Sequence, residues 1–221
     1  MLALSLVHSQ KAAYVGRRTV RLPKIRRGQG AGLENRTVDE LVAEFDEFTL
    51  VEAAKNGNQR ALSELYEHFF PKVYRYAAAR LGNTEDAEDV TEEIFLRVVH
   101  NIQSFSWRGL PFGAWVFRIA RNEVVSHVRR EKTRGATTEL TETIQDHSAD
   151  HATAIEFQFT MQSIRVATEK LPEAQRQVIA LRFGAGLSVA ETAQALSKTE
   201  NNVKVLQHKA IAKLQQLVLP Q

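Results

Sequence analysis

Apolar residues recur at helical spacing along most of this chain, most clearly from Phe112 to Arg130. At 3.6 residues per turn, one face of this segment gathers apolar side chains, Phe117 among them. The opposite face gathers an aromatic ring with basic and small polar groups: Trp115, Arg118, Asn122, Ser126 and Arg129. Arginine binds phosphate, an aromatic ring stacks on a base and asparagine can read a base edge. The pattern predicts a helix with a nucleic-acid-binding face, although Trp115 could instead pack under a neighbouring helix.

Composition and missing motifs exclude several classes of protein. The 221 residues include no cysteine, so disulfides and thiolate metal sites are excluded. No segment reaches the roughly 20 apolar residues that span a membrane. The sequence contains no glycine-rich phosphate loop and no local signature of a catalytic triad. We therefore expect a cytoplasmic protein that is not an enzyme and that has no cofactor, metal ion or small-molecule substrate.

The charge pattern divides the chain into four parts. Residues 1–45 are basic and rich in glycine, and their apolar residues do not recur at a regular spacing. This composition predicts a disordered arm. An organelle transit peptide and a start codon further downstream are the other interpretations of this arm. Residues 46–134 have a helical pattern, 135–154 form an acidic segment typical of a flexible linker, and 155–221 are helical again. The predicted fold is all-α, with two small helical domains.

The C-terminal part has the spacing of a helix-turn-helix. Ser188 and Glu191 fit a capping box that begins a short helix, and a second helix is expected from about Glu200 to Val218. In such motifs the start of the second helix enters the major groove of DNA. The residues that this helix would present are Asn201, Asn202, Lys204, His208 and Lys209. An ordinary helical hairpin with a polar face is the alternative.

The segment from Thr84 to Ile102 predicts another amphipathic helix. Its face opposite the core carries acidic residues together with Leu96 and Val99. Acids in a first turn suit the helix dipole, but exposed apolar residues beside them favour a docking surface for a basic partner helix. A carboxylate metal site for a hydrolase is disfavoured because no histidine lies at ligand spacing.

The loop from Ser104 to Leu110 combines aromatic, polar and glycine residues before the basic helix. Such a loop could form a pocket for an unstacked base. We expect Phe105 to belong to the core. The pattern does not decide whether Trp107 lies in the core or lines the pocket.

Taken in order, these segments resemble the bacterial sigma factors of the extracytoplasmic-function (ECF) group. DAEDVTEEIFLRVVHNIQSF resembles the segment that binds the clamp helices of RNA polymerase, and PFGAWVFRIARNEVVSHVRR resembles the promoter-melting and minus-ten segment. LPEAQRQVIALRFGAGLSVAETAQAL, followed by NNVKVLQHKAIAKL, resembles region 4, which reads the minus-thirty-five element. The resemblance implies that 46–134 is region 2 and 155–221 is region 4.

The resemblance, added to the face analysis, assigns two sets of residues. Those expected to bind polymerase are Asp86, Asp89, Glu92, Leu96 and Val99. Those expected to bind DNA are Trp107, Trp115, Arg118, Arg121, Asn122, Ser126, Arg129, Arg130, Asn201, Asn202, Lys204, His208 and Lys209. Family members often carry Ser-Arg-Leu where this chain has Val205, Leu206 and Gln207, which puts the target sequence in doubt rather than the fold.

The function expected from these features is promoter recognition, DNA melting and transcription initiation with core RNA polymerase. The expected partners are the polymerase clamp helices and promoter DNA, both as duplex and as melted strand. Members of this group are commonly held by an anti-sigma protein, so one is a further possible partner. A stand-alone helix-turn-helix regulator and a metal-dependent hydrolase are the competing hypotheses, and both account for less of the chain.

Overall fold

The computed structural model describes residues 45–135 and 163–218, and no strand occurs within these ranges. The predicted all-α fold is therefore confirmed for the described parts of the chain. The predicted basic arm lies outside them except for Phe45, and the predicted linker lies outside them beyond Gly135. No helix within the described ranges is long and apolar enough to cross a membrane.

The described chain belongs to two compact units that divide after Leu65. The first contains α1 (Glu47–Lys55) and the beginning of α2 (Gln59–Leu81). Asp46 caps α1 by accepting the backbone N–H of Thr49 at 3.1 Å, which satisfies an amide that has no partner within the helix. The side chain of Asn58 likewise accepts the amide of Ala61 at 3.2 Å at the start of α2.

The second unit begins with the rest of α2, α3 (Thr84–Asn101) and α4 (Phe112–Gly135). Pro71 lies inside α2 without ending it. Gly82 follows α2 with a φ of 70°, a left-handed conformation that favours glycine after a helix. The sequence offers Asn83 or Thr84 as the cap of α3, and the side chain of Asn83 takes this role by accepting the amide of Glu85 at 2.9 Å.

The core of these three helices forms on the faces that periodicity predicted. On α4, Phe117, Ala120 and Val124 are all buried. On α3, Ala87, Val90, Ile94 and Val98 recur at spacings of three and four, which predicts one apolar face, and all four are buried. Complete burial of one large apolar side chain stabilises a fold by about 1.5–3 kcal/mol, so this shared core holds the two helices that carry the candidate site.

The C-terminal helices complete the second unit. They are a helical segment over 163–169, α5 (Glu173–Ile179), a wide π-helical turn (Ala180–Gly184), α6 (Val189–Leu196) and α7 (Glu200–Val218). The sequence Leu171-Pro172-Glu173 predicts a helix with proline in its first turn, whereas Pro172 lies one residue before α5, as its N-cap. The capping box of Ser188 and Glu191 is confirmed in both directions, at 3.1 and 2.7 Å.

Helices α6 and α7 form the predicted helix-turn-helix. The turn passes through Ser197, whose φ of 53° is left-handed. Ala193 and Val203 are buried, at 4% and 0% exposure. Small and β-branched side chains at these positions let the two helices approach closely, and the N-terminal part of α7 stays exposed.

Candidate nucleic-acid and polymerase interface

Both tryptophans of the candidate site lie in one aromatic cluster at the start of α4. The ring of Trp115 lies 5.3 Å from that of Phe105 and 5.3 Å from that of Phe112, centroid to centroid. The ring of Trp107 lies edge-on to Phe105 at 4.9 Å. Phe105 and Phe112 are buried and both tryptophans are half-buried.

The sequence left two alternatives for Trp115, a place on a nucleic-acid-binding face or packing against neighbouring elements, and the cluster combines both. Trp115 packs against neighbouring rings, and it also retains solvent-accessible surface beside the polar residues of α4. Aromatic pairs at such distances contribute about 0.5–1.5 kcal/mol beyond the area they bury. The cluster therefore holds two partly exposed indole rings in fixed positions, which suits stacking on bases. Phe105 is in the core, as predicted.

The polar face of α4 is open along most of its length. Arg121, Asn122, Ser126 and Arg129 are exposed. Arg118 differs from them, because its Nε and Nη2 atoms donate to the backbone carbonyl of Gln194 in α6, at 3.3 and 3.2 Å. A single helix face thus carries several cations, one of which already has an acceptor within the chain.

Three contacts between a basic and an acidic side chain of α3 and α4 were not predicted from the sequence. Arg97 Nε lies 2.8 Å from Glu123 Oε1, Arg130 lies 3.5 Å from Glu93, and His127 lies 3.7 Å from Asp86. The pair of Arg130 and Glu93 is half-exposed on both sides, and exposed pairs contribute about 0–1 kcal/mol. Glu123 is only 7% exposed, and its position as an isolated acid within a basic helix was the available signal.

These pairs affect two of the assigned residues. Asp86 was assigned to polymerase and Arg130 to DNA; Arg130 already lies beside the carboxylate of Glu93, and Asp86 lies beside the ring of His127. An external partner would have to compete with these pairs. Since both pairs are partly solvated and long, that competition costs little.

The face of α3 assigned to polymerase is less exposed than expected. Asp89 is exposed, whereas Glu92, Leu96 and Val99 are half-buried. Leu96 and Val99 were expected to be exposed, and each is exposed only in part. The surface that remains is a shallow apolar strip flanked by carboxylates, which suits a basic helix.

All five residues assigned on α7 are exposed: Asn201, Asn202, Lys204, His208 and Lys209. Beneath them Val203 and Ala210 are completely buried and fix the rotation of the helix. Gln207, one of the residues that departs from the family pattern, accepts a hydrogen bond from Arg182 Nε at 2.9 Å. That residue thus ties the recognition helix to the turn after α5.

A further cluster, which the sequence gave no sign of, joins α2 to the C-terminal helices. Tyr76 Oη donates to Gln177 Oε1 at 2.6 Å, and Arg80 lies 2.7 Å from Glu173. Burial raises the pKa of the Tyr76 hydroxyl, so it stays protonated and acts as a donor. Partial burial raises the pKa of Glu173, but Arg80, Gln177 and Arg176 outweigh it and hold the pKa below its ordinary value. We call this cluster the Tyr76 contact.

Comparison with known proteins matches both halves of this architecture. The family model of Sigma-70 region 2 matches residues 65–134, and that of Sigma-70 region 4 matches residues 167–216. The ECF RNA polymerase sigma factor SigD of Mycobacterium tuberculosis (strain H37Rv) is 32% identical over 82% of this chain and 84% of its own length. The chain belongs to the ECF RNA polymerase sigma factors.

Other relatives agree with this assignment. The ECF sigma factor BldN of Streptomyces coelicolor is 36% identical over 76% of this chain, which spans 64% of the length of BldN. The structure of CnrH in complex with the cytosolic domain of CnrY superposes with a TM-score of 0.60 at 25% identity, covering 77% of this chain and 96% of CnrH. The sigma factor RpoE of Bartonella quintana, solved with the anti-sigma factor NepR, has the same fold, with a TM-score of 0.56 at 22% identity over 72% of this chain and 97% of its own.

The family membership confirms the predicted class of function. Sigma factors direct RNA polymerase to promoters and are not enzymes, so the metal-dependent hydrolase hypothesis is wrong. The stand-alone regulator explains only the region 4 match, whereas this sigma factor also matches region 2. The individual residues assigned to DNA and to polymerase remain predictions, as do the exact bounds of the domains.

Proposed function

We propose that this sigma factor divides promoter recognition between its two regions in the bacterial cytoplasm, where the polymerase is found. Region 4, assigned to residues 155–221, would bind duplex DNA at the minus-thirty-five element through the exposed face of α7. Region 2, assigned to residues 46–134, would bind core polymerase and hold the melted minus-ten strand. The observation that carries this proposal is the aromatic cluster beside the cationic face of α4, with Trp115 between them.

Energetics favour a shared mechanism over strand opening by the sigma factor alone. Stacking on one aromatic ring contributes about 1–3 kcal/mol per base. Each base-pair step of duplex DNA is held by about 1.4 kcal/mol of stacking, so Trp115 and Trp107 together offset only a few steps. Polymerase must supply the rest. Arg121, Asn122, Ser126 and Arg129 would hold the phosphates and base edges of the opened strand, and Arg118 and Arg130 would join them once released from their partners within the chain.

Polymerase binding is assigned to the acidic strip of α3. Asp89, Asp86 and Glu92 would face basic residues of the clamp helices, and Leu96 and Val99 would bury against them. Carboxylates around a small apolar centre give complementary charge and a desolvated contact, the arrangement that specific interfaces use. A regulatory partner is also proposed, by analogy with CnrH, which was solved with the cytosolic domain of CnrY.

Mapping of opened DNA tests this assignment. Core RNA polymerase with this sigma factor is incubated on genomic fragments, and unpaired thymines are detected by permanganate. Reactive thymines about ten base pairs upstream of each transcript start, dependent on both proteins, are the expected result. Opening without polymerase, or duplex binding with no opening, would contradict the proposal and favour the stand-alone regulator.

A further inference from the structure

The exposed face of α7 carries a single large apolar side chain among polar ones. Val205 is 45% exposed, and it is the one exposed large apolar residue of α7, all of which lies in the described part of the chain. Asn201, four residues before it, and Lys209, four residues after it, share its face of the helix. An exposed valine gains little from burial within the chain, and its branched Cβ slightly disfavours a helix. Its place at the centre of a polar face therefore points to a contact that this face makes.

Contacts on the other side of α7 fix the direction in which Val205 points. Val203 and Ala210 are completely buried, and Gln207 Oε1 accepts a hydrogen bond from Arg182 Nε at 2.9 Å. Residues two positions apart on a helix are rotated by about 200°, so burial of Val203 turns Val205 outward. A valine in a helix has one strongly preferred χ1 rotamer. The two methyl groups of Val205 are therefore held in one position and lose little freedom when they bind.

Val205 also lies early enough in α7 to reach base edges. Counting from Glu200, it is the sixth residue of the helix. Six residues rise by about 9 Å, and the major groove is about 12 Å wide. In a helix-turn-helix the N-terminal part of the second helix enters this groove. Val205 thus lies in the part of α7 that faces the bases rather than beyond the groove.

The side chain of valine discriminates between bases because it has no hydrogen-bonding group. A base edge that presents a donor or an acceptor to it loses water and gains no hydrogen bond in return. In the major groove, guanine, adenine and cytosine present donors or acceptors, and thymine adds an apolar group, the C5 methyl. Contact between this methyl and Val205 removes apolar surface from water on both sides. The thymine methyl is therefore the base-edge group that Val205 complements.

We propose that Val205 is a specificity-determining residue of region 4, which reads the C5 methyl of one thymine in the minus-thirty-five element. The inference rests on the proposed function, because it assumes that α7 binds this element through the major groove. The polar residues around Val205 hold phosphates and the neighbouring base edges. Val205 itself selects an A·T pair at one position of the element, and cytosine there is disfavoured because it lacks the methyl.

Removal of single methyl groups from the DNA tests this proposal with the full chain. Run-off transcription with core RNA polymerase first defines a promoter. Each thymine of its minus-thirty-five element, on either strand, is then replaced singly by deoxyuridine, which keeps the hydrogen-bonding groups of thymine and lacks only the methyl. The affinity of the polymerase holoenzyme for each duplex is measured by competition, with wild-type sigma factor and with Val205→Ala.

One thymine should respond in the wild type. Deoxyuridine at that position should weaken binding roughly fourfold, which corresponds to ~0.8 kcal/mol at about 1.4 kcal/mol per factor of ten. Val205→Ala should bind the natural duplex more weakly and should be insensitive to the replacement. Val205→Thr keeps one of the two methyl groups and the branched shape, so it should retain part of the response.

The matched control is Ala212→Val, which adds a valine at an exposed position about two turns further along the same face. It should retain the full response to deoxyuridine. An element without A·T pairs, or one in which no thymine methyl affects binding, would overturn the proposal. A response that Val205→Ala retains in full would overturn it as well.

Two further measurements separate this outcome from other failures. Circular dichroism reports whether Val205→Ala keeps the helix content of the wild type; if it does not, the comparison of wild type with Val205→Thr decides. If polymerase with the wild-type chain yields no transcripts, the proposed function fails, and the full chain alone is then used to select duplexes from a random library. A deoxyuridine response in the selected sites that depends on Val205 would still support the reading of thymine, whereas selection of no duplex would overturn both proposals.

Discussion

The hydroxyl of Tyr76 donates to Gln177 Oε1 at 2.6 Å, across 101 positions of sequence, and both side chains are almost completely buried. This bond links α2 of region 2 to α5 of region 4. A buried amide oxygen that loses its donor costs about 1–3 kcal/mol. Removing the hydroxyl of Tyr76 should therefore lower the free energy of unfolding measurably, which tests the contact between the two regions.

Tyr76→Phe should lower the free energy of unfolding by about 1–3 kcal/mol, because Gln177 Oε1 would stay buried without its donor. The matched control is Tyr66→Phe, since Tyr66 is also buried but its hydroxyl has no hydrogen-bond partner among the described residues. That control should be neutral or stabilising. Urea denaturation followed by circular dichroism measures both, and an equal loss in the two variants would argue against the bond.

Glu173 should make stability dependent on pH in the acid range. Its pKa is lowered in the folded protein from an ordinary value of 4.5, so its stabilising contribution is fully present above pH 4.5 and is lost as the pH falls through the folded pKa. Glu173→Gln should therefore differ from wild type in free energy of unfolding at pH 7 and converge with it in acid. Glu169→Gln, on a more exposed carboxylate, is the control and should show little difference at either pH. A constant gap for Glu173→Gln across the pH range would contradict the account.

Trp115→Ala should reduce strand opening roughly tenfold or more while leaving polymerase binding intact, because it removes about 1–3 kcal/mol of stacking. Permanganate reactivity measures opening, and co-purification with core polymerase measures binding. Trp115→Phe keeps an aromatic ring beside Phe105 and Phe112 and should retain much of the opening. Parallel loss of opening and polymerase binding in the alanine variant would place Trp115 in the fold rather than in the DNA site.

Leu96→Glu should abolish association with core polymerase, because it puts a charge at the apolar centre of the α3 strip. The control Gln103→Glu adds the same charge in the 3-10 turn just after that helix, at an exposed position. Association is measured by size-exclusion chromatography with core enzyme. Undiminished association of the Leu96 variant would show that polymerase binds elsewhere.

Lys204→Glu should weaken binding of region 4 to duplex DNA and lower the slope of log affinity against log salt by about one. Lys213→Glu is the control, since nine residues further along α7 it lies on the opposite side of the helix and is also exposed. Fluorescence anisotropy at several salt concentrations measures both. A salt slope that Lys204→Glu leaves unaltered would remove this residue from the interface.

Local signals were enough to predict most helix ends and core faces. Helix caps form between residues two or three positions apart, so they can be predicted from the sequence alone. Examples are the cap at Asn83 and the capping box of Ser188 and Glu191. The neighbours of Trp115 could not be predicted in this way, because a helical wheel shows only which residues share a face of α4. The loop before that helix returns Phe105 to the ring of Trp115, and this packing depends on tertiary structure.

The Tyr76 contact could not be predicted for the same reason. Tyr76 continues an apolar stripe and Gln177 resembles an exposed polar residue, so neither position signals a partner 101 residues away. Likewise, Arg118 matches a DNA-binding pattern, and nothing local indicates that Gln194 accepts its hydrogen bonds. Contacts between regions arise from three-dimensional packing, which periodicity and capping do not encode.

Run-off transcription with purified core RNA polymerase on genomic fragments tests the central claim most directly. The account predicts new, discrete transcripts that require this sigma factor, and their loss with Trp115→Ala. Polymerase that gains no new start sites, while the protein alone binds duplex DNA, would contradict it.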